Sequence, residues 1–116
     1  MSRPEIAEVA LFTDRPDEAK RFYAALLERQ ADSEWPGGAA YSSGRLTLLV
    51  HERGAALEGG PPNVDHVAFA VDDLEEACGR LRAQGVDVEV DPRQFPWGRS
   101  AYVRDPDGRL VELAER

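Results

Sequence analysis

The sequence predicts an α+β fold built from two tandem βαβββ modules, and two observations predict it. The segment IAEVALFTDRPDEAKRFYAALLER, which starts at Ile6, aligns with VDHVAFAVDDLEEACGRLRAQG, which starts at Val64. Self-similarity of this kind is the signature of a duplicated structural unit. A stretch rich in Gly and Pro, RGAALEGGPPN, separates the copies and has the composition of a linker. We therefore expect module 1 over about 4–52, a linker over 53–63 and module 2 over about 64–116.

Each copy begins with a short apolar run typical of a buried strand, followed by an acidic turn and a helix. The helices are predicted by apolar residues at positions i, i+3, i+4 and i+7, which share one helix face. These are Ala19, Phe22, Tyr23 and Leu26 in the first copy and Leu74, Ala77, Cys78 and Leu81 in the second. Asp14 and Asp72 are candidate N-caps, and Gly85 suits the end of the second helix. We expect both helices to pack on one side of the sheet, with Cys78 as a small core residue.

Three shorter β-like runs follow each helix. In the second copy they are VDVEV, SAYVRD and RLVELA, with a Pro-Asp-Gly turn before the last run. In the first copy they are a weaker run near QADSEW, then AAYSS and RLTLLVH, with a turn at Gly44. Matching AAYSSGRLTLLV to SAYVRDPDGRLVELA aligns the tyrosines and the Gly-Arg-Leu triplets, although the hairpins differ in length. These runs complete the βαβββ pattern in both copies.

Composition restricts the class of protein and its partners. A chain of 116 residues is long enough for one core, and the net charge of −8 argues against nucleic acid or an anionic membrane surface as a partner. No run approaches the roughly 18 apolar residues of a membrane span. The single cysteine, Cys78, rules out an internal disulfide and fits a reducing compartment. The first residues lack the pattern of a signal peptide, so we expect a cytoplasmic protein.

Strand parity sets one polar residue of each copy on the face away from the helices. In DHVAFAV, His66 shares a face with Ala68 and Ala70, whereas Val67, Phe69 and Val71 share the other. Glu8 aligns with His66, and in the last strand Glu112 also stands beside small residues. An unpartnered carboxylate buried in a sheet is costly, so three such positions favour a lined cavity. The alternatives are a hydrogen-bonded structural histidine for His66 and a solvated side chain for Glu8.

The duplicated modules, the histidine of DHVAFAV and the ending YVRDPDGRLVEL resemble the vicinal oxygen chelate superfamily. That superfamily includes glyoxalase I, extradiol dioxygenases, fosfomycin-resistance thiol transferases and bleomycin-binding proteins. The resemblance implies a single glyoxalase-like domain over 1–116. It implies that the modules form a curved-sheet half-barrel or barrel, with the helices on the outside. It also implies metal ligands from the first and last strands of each module, which by position are Glu8, Leu48, His66 and Glu112. Since Leu48 cannot bind metal, we expect a site of three ligands.

One imidazole and two carboxylates suit a divalent ion such as Mn²⁺, Fe²⁺, Co²⁺, Ni²⁺ or Zn²⁺. Such an ion would act as a Lewis acid on substrate oxygens. We expect Tyr102 to help to orient the substrate and Glu112 to take part in catalysis. Further candidates for the substrate cavity are Trp97, Arg99, Ser100 and Arg104, although Arg104 could equally be an exposed hairpin residue. His51, at the start of the linker, is expected to be a plain surface residue.

Two functions stay open. The first is a metal-dependent enzyme acting on a small oxygenated molecule, with isomerase or lyase, thiol transferase and dioxygenase chemistry all possible. The second is a non-catalytic drug-binding protein of the bleomycin-resistance type, for which Trp35 and Trp97 would supply aromatic faces. We expect a homodimer in either case, because a half-barrel leaves strand edges that need partners. Whether the modules pair within or between subunits is left open.

Overall fold

The computed structural model describes residues 2–116, which form eight strands and two helices. Module 1 contains β1 (Glu5–Thr13), α1 (Pro16–Leu27), β2 (Ser33–Trp35), β3 (Gly38–Ser43) and β4 (Leu46–Glu52). Module 2 contains β5 (His66–Val71), α2 (Leu74–Ala83), β6 (Val88–Phe95), β7 (Gly98–Arg104) and β8 (Leu110–Glu115). Both modules follow the βαβββ order, and the predicted α+β fold is confirmed.

The described strands form one mixed sheet in the order β2-β3-β4-β1-β5-β8-β7-β6. Within each module the first and last strands pair in parallel, β1 with β4 and β5 with β8. The two modules join through antiparallel pairing of β1 with β5 in the same chain. The sheet ends at β2 and β6, so the described residues form an open sheet and not a closed barrel.

The two helices pack on the sheet to different depths. In α2, Leu74, Ala77 and Cys78 are buried in one cluster with residues of β5, β7 and β8. In α1 no residue of the described helix is buried, and only two of the four residues of the predicted apolar stripe pack against the sheet. Phe22 and Leu26 are 60% and 63% exposed, because the helix contacts the sheet through Ala19 and Tyr23 instead.

The helix starts differ from the predicted caps by one residue. The N-cap of α2 is Asp73, whose carboxylate accepts a hydrogen bond from the Glu76 amide at 3.0 Å. Asp72 instead accepts from the Ser2 amide at 2.6 Å and from Arg116 at 2.7 Å. Helix α1 follows Arg15, which is its N-cap and makes no capping hydrogen bond with its side chain. Within residues 2–116, neither helix has the length and apolar character needed to cross a membrane.

Candidate active site

A cavity of about 640 Å³ opens on the face of the sheet opposite the helices. Successive side chains of a strand point to opposite faces, so His66 and Ala68 line the cavity while Phe69 and Val71 pack against α2. Residues 61–63 of the connecting segment also line the cavity. The segment that the sequence marks as a linker is therefore also a wall of the site.

The cavity brings together most of the residues singled out from the sequence. Those lining it are Glu8, His66, Trp97, Arg99, Ser100, Tyr102 and Glu112. The structure corrects the expectation for Arg104, which is not among the lining residues. Its guanidinium donates to both carboxylate oxygens of Glu89 at 3.1 Å and to the Gly108 carbonyl oxygen at 3.1 Å. Arg104 ends β7, where a partner on the neighbouring strand β6 holds it beside the hairpin.

The centre of the site is a contact between His66 and Glu112. The His66 Nε2 atom lies 3.0 Å from Glu112 Oε1, and the two side chains are 6% and 7% exposed. The other nitrogen of the imidazole, Nδ1, donates to the Val64 carbonyl oxygen at 2.8 Å, since a carbonyl can only accept. The second oxygen of Glu112 accepts a hydrogen bond from Ser100 Oγ at 2.7 Å. Both side chains are thus held in a single orientation by neighbouring groups.

The charges of this pair follow from its contacts. Burial acts to lower the pKa of His66, but the hydrogen bonds to Glu112 and to the Val64 carbonyl outweigh it, and the pKa is raised. Burial acts to raise the pKa of Glu112, but the hydrogen bonds from His66 and Ser100 outweigh it, and the pKa is lowered. Both shifts favour the charged forms, an imidazolium facing a carboxylate. Burial raises the pKa of the Tyr102 hydroxyl, so that group stays protonated.

Glu8 lies on β1 at the same cavity and interacts with this pair through its charge. Burial is the main cause that raises the pKa of Glu8, and repulsion by Glu112 adds to it. Its carboxylate is not in a compact group with His66 and Glu112. Among the described residues, the group whose ligand atoms all lie within 4.8 Å of one another is Asp73, Glu75 and Glu115.

That acidic group is already engaged by protein partners. Glu115 accepts a hydrogen bond from the Leu74 amide at 3.0 Å, and Arg99 pairs with both Glu75 and Glu115. Arg99 thus lines the cavity while its charge is balanced by carboxylates beside the start of α2. The arrangement explains the acidic group as a set of contacts that hold Arg99 and the helix end.

The His66–Glu112 pair fits a divalent metal ion. Two ligand atoms at right angles around an ion, each about 2.1 Å from it, are about 3 Å apart, which is the separation of His66 Nε2 and Glu112 Oε1. Metal-binding histidines commonly donate their other N–H to a carbonyl, as His66 does to Val64. Ligating carboxylates are likewise hydrogen-bonded, as Glu112 is by Ser100. The donor set of imidazole and carboxylate suits a transition metal.

The register of the sheet corrects the position of the missing fourth ligand. Glu112 is opposite Ala68 on β5, and the corresponding pair in module 1 is Leu49 opposite Ala10. Leu49 lines the cavity, whereas Leu48 packs on the helix side. A shift of one residue moves a side chain to the other face, which is why alignment by Gly-Arg-Leu selected Leu48. The conclusion that this position has no ligand atom holds, because Leu49 is also apolar.

Aromatic side chains flank the cavity at both ends. In module 1, His51 lies with its ring centroid 5.9 Å from that of Phe12 and 6.2 Å from that of Trp35. In module 2, Trp97 stacks on Phe95 with centroids 4.7 Å apart. His51 is exposed, as expected, but it also lines the mouth of the cavity and is therefore more than a plain surface residue. The alternation of Thr47, Leu49 and His51 along β4 is the signal that would have found it.

Comparisons with known proteins give the family. Residues 5–113 match the model of the Glyoxalase/Bleomycin resistance protein/Dioxygenase superfamily. The putative glyoxylase CFP32 of Mycobacterium tuberculosis is 36% identical over 108 residues, which cover 89% of this chain and 41% of that protein. The chain thus spans about two fifths of the length of this curated relative. A probable lactoylglutathione lyase of Vibrio cholerae is 27% identical over 128 residues, which cover 99% and 93%.

Solved structures share the fold. Methylmalonyl-CoA epimerase from Mycobacterium tuberculosis superposes with a TM-score of 0.70 and 20% sequence identity. The match covers 96% of this chain and 87% of that one. At this level of identity, the likeness concerns the arrangement of strands and helices alone.

Proposed function

This chain belongs to the Glyoxalase/Bleomycin resistance protein/Dioxygenase superfamily, and we propose that its cavity binds one divalent metal ion and a small molecule that chelates it through neighbouring oxygen atoms. The observation that carries the proposal is the His66–Glu112 contact. Each side chain offers a ligand atom at a spacing that an ion would bridge, and each is anchored on its far side, by Val64 and Ser100. The metal is Mn²⁺, Fe²⁺, Co²⁺, Ni²⁺ or Zn²⁺, as the donor set indicates.

Glu8 is proposed as the third ligand. Its side chain is partly buried and its carboxylate is repelled by Glu112, and both effects raise its pKa. A cation placed between the two carboxylates would relieve both effects, so the site without an ion already favours one electrostatically.

We propose isomerase or lyase chemistry, in which a proton moves beside a carbonyl group. A bound metal ion would supply Lewis acidity that polarises the chelating oxygens. Tyr102 stays protonated and can donate a hydrogen bond to a substrate oxygen, and Ser100 holds the Glu112 carboxylate in place. The likeness to a probable lactoylglutathione lyase over almost its whole length supports this class over thiol transfer and oxygenation. A homodimer and a cytoplasmic location stay predictions.

A second candidate is a binding protein without catalysis. Trp97 is 53% exposed at the cavity, stacked on Phe95, and Trp35 lines the opposite end. An exposed Trp97 at one end and a half-buried Trp35 at the other would hold a flat ligand by stacking alone. The two candidates differ in whether binding needs a metal ion.

Metal binding by the purified protein tests the proposal. After treatment with EDTA and removal of the chelator, the wild type is titrated with Mn²⁺, Ni²⁺ and Zn²⁺ in a calorimeter. We expect one ion per chain, lost in Glu112→Ala. The matched control is Glu75→Ala, which removes a carboxylate from the acidic group beside α2 and should leave binding intact.

The control also separates the two places where an ion could bind. Loss of binding in Glu75→Ala with retention in Glu112→Ala would put the ion at the acidic group and contradict the proposal. A wild type that binds none of the three ions, yet binds flat aromatic ligands, would favour the second candidate.

A further inference from the structure

Both histidines of the chain line the same cavity, at different places, and the proposed function uses one of them. His51 Nδ1 donates to the Glu52 carbonyl oxygen at 2.7 Å, as His66 Nδ1 does to Val64. This contact fixes the tautomer of a neutral His51, with Nε2 as a hydrogen-bond acceptor. Among residues 2–116, Nε2 of His51 makes no hydrogen bond. The cavity therefore contains a second imidazole whose outer nitrogen is available to a ligand.

The indole of Trp35, which lies beside His51, packs in a space that depends on a glycine. The indole of Trp35 lies across Gly38, which pairs with His51 between β3 and β4. A Cβ on Gly38 would clash with Nε1 of Trp35 and lie 2.5 Å from its Cε2, so any larger residue would displace the indole. Gly38 is required because a side chain there would clash with the indole, whereas the preceding Gly37 has a φ of +90°, a backbone conformation that favours glycine. The ring is thus placed next to the imidazole at a centroid distance of 6.2 Å.

The position of His51 relative to the proposed metal ligands limits its role. The Phe12 ring lies between the two imidazoles, with its centroid 5.9 Å from each of theirs. The two histidines stand on β4 and β5, which are separated by β1, so a ligand that contacts both must extend across Phe12. A molecule one or two fused rings long, lying along Phe12, would reach from one imidazole to the other.

We infer that His51 is a specificity-determining residue: it accepts a hydrogen bond, through Nε2, from a polar group at the far end of a planar substrate whose chelating oxygens lie at His66 and Glu112. Trp35 supplies the aromatic face beside that far end. The substrate class is a flat molecule with neighbouring oxygens at one end and a hydroxyl or N–H donor at the other. The inference rests on the proposed function, since it takes the His66 end as the place of chelation.

Two probes that differ in one hydroxyl group test the inference. They are 2,3-dihydroxynaphthalene, which has chelating oxygens alone, and 2,3,6-trihydroxynaphthalene, which adds a distal hydroxyl. Their affinities for metal-loaded protein are measured by calorimetry under argon. We expect the wild type to prefer the trihydroxy probe by about fivefold, the effect of one hydrogen bond. The variant His51→Phe keeps a flat ring without nitrogen and should bind both probes equally.

The packing of Trp35 on Gly38 gives an independent check of this inference. Gly38→Ala should weaken both probes together, because it displaces the indole without removing His51. The matched control is Gly79→Ala on α2, where an added Cβ meets no atom within 4 Å and both affinities should stay as in wild type.

The metal content of each variant, measured on the same samples, separates this inference from the proposed function. Retention of metal by His51→Phe with loss of the preference supports the inference. Binding of metal with an unchanged preference in His51→Phe, or failure of metal-loaded wild type to bind either probe, overturns the inference alone. Failure of the wild type to bind metal overturns the proposed function.

Discussion

Replacing both His66 and Glu112 with leucine should leave the metal-free protein at least as stable as wild type, although each single replacement destabilises it. The pair is nearly fully buried, and its charges are removed from water in exchange for one contact at 3.0 Å. A buried ion pair of this kind commonly contributes less than apolar side chains of similar volume would. Its presence then reflects a requirement of the site and not of the fold.

The magnitudes follow from what each variant leaves behind. In Glu112→Leu, the His66 imidazole and the Ser100 hydroxyl both lose their acceptor, and in His66→Leu the Glu112 carboxylate loses its cation. Removing one member of a buried pair costs about 3–5 kcal/mol, and we expect about 3 kcal/mol because the open cavity admits water. In the double variant, neither charge remains buried, and the hydroxyls of Ser100 and Tyr102 must find other acceptors. We expect a gain of about 1 kcal/mol over wild type, the low end of the reported range for such swaps.

Equilibrium unfolding in urea, followed by tryptophan fluorescence in the presence of EDTA, measures all four proteins of this double-mutant cycle. We expect a coupling energy of several kcal/mol between the two positions, with the slopes of the unfolding curves unchanged. A double variant that loses the sum of the two single losses would refute it. That result would mean that His66 and Glu112 stabilise the fold independently of each other.

Two further predictions concern single groups. Ser100→Ala should lower metal affinity about tenfold in calorimetry by freeing the Glu112 carboxylate, and an unchanged affinity would exclude a positioning role for the hydroxyl. The pKa values of Asp32 and Asp72 are lowered mainly by hydrogen bonds from the Ser42 and Ser2 amides, so their stabilisation is present above the ordinary value of 3.8 and is lost as pH falls below it. Melting temperatures from pH 6 to pH 2 should therefore fall less steeply in Asp32→Asn/Asp72→Asn, and equal slopes would contradict this account.

The fold could be predicted because the repeat and the strand parity are local properties of the chain. Hydrophobic alternation in DHVAFAV assigned His66 to the open face, and the structure has it there. The extent of helix packing could not be predicted, since an apolar stripe fixes a helix face but not how much of it the sheet covers. Phe22 belongs to the stripe yet is 60% exposed, because α1 rests on the sheet through Ala19 and Tyr23.

The candidate site was predicted less completely, because it depends on register between strands that are distant in sequence. The tyrosines of the two modules align by sequence, yet they face opposite sides of the sheet. Tyr102 lines the cavity, while Tyr41 is buried on the helix side with its hydroxyl donating to the Lys20 carbonyl oxygen at 3.1 Å. The last strand is displaced by one residue against the first strand in module 1 relative to module 2, since Leu48 pairs with Val9 whereas Glu112 pairs with Ala68. Composition alone does not reveal that shift.

The same shift explains how two copies of one unit come to have different roles. In module 2, the tyrosine and Glu112 face the cavity together, because Tyr102 is opposite Glu112 between β7 and β8. In module 1, the corresponding positions are Ala40 and Leu49, which offer no polar atom on their side chains. That side of the cavity instead contains His51, beside the indole that Gly38 accommodates. Apart from Glu8, the groups proposed for the chemistry thus come from module 2, while module 1 contributes His51, which we propose to recognise the far end of a ligand. The His51 variants test this division.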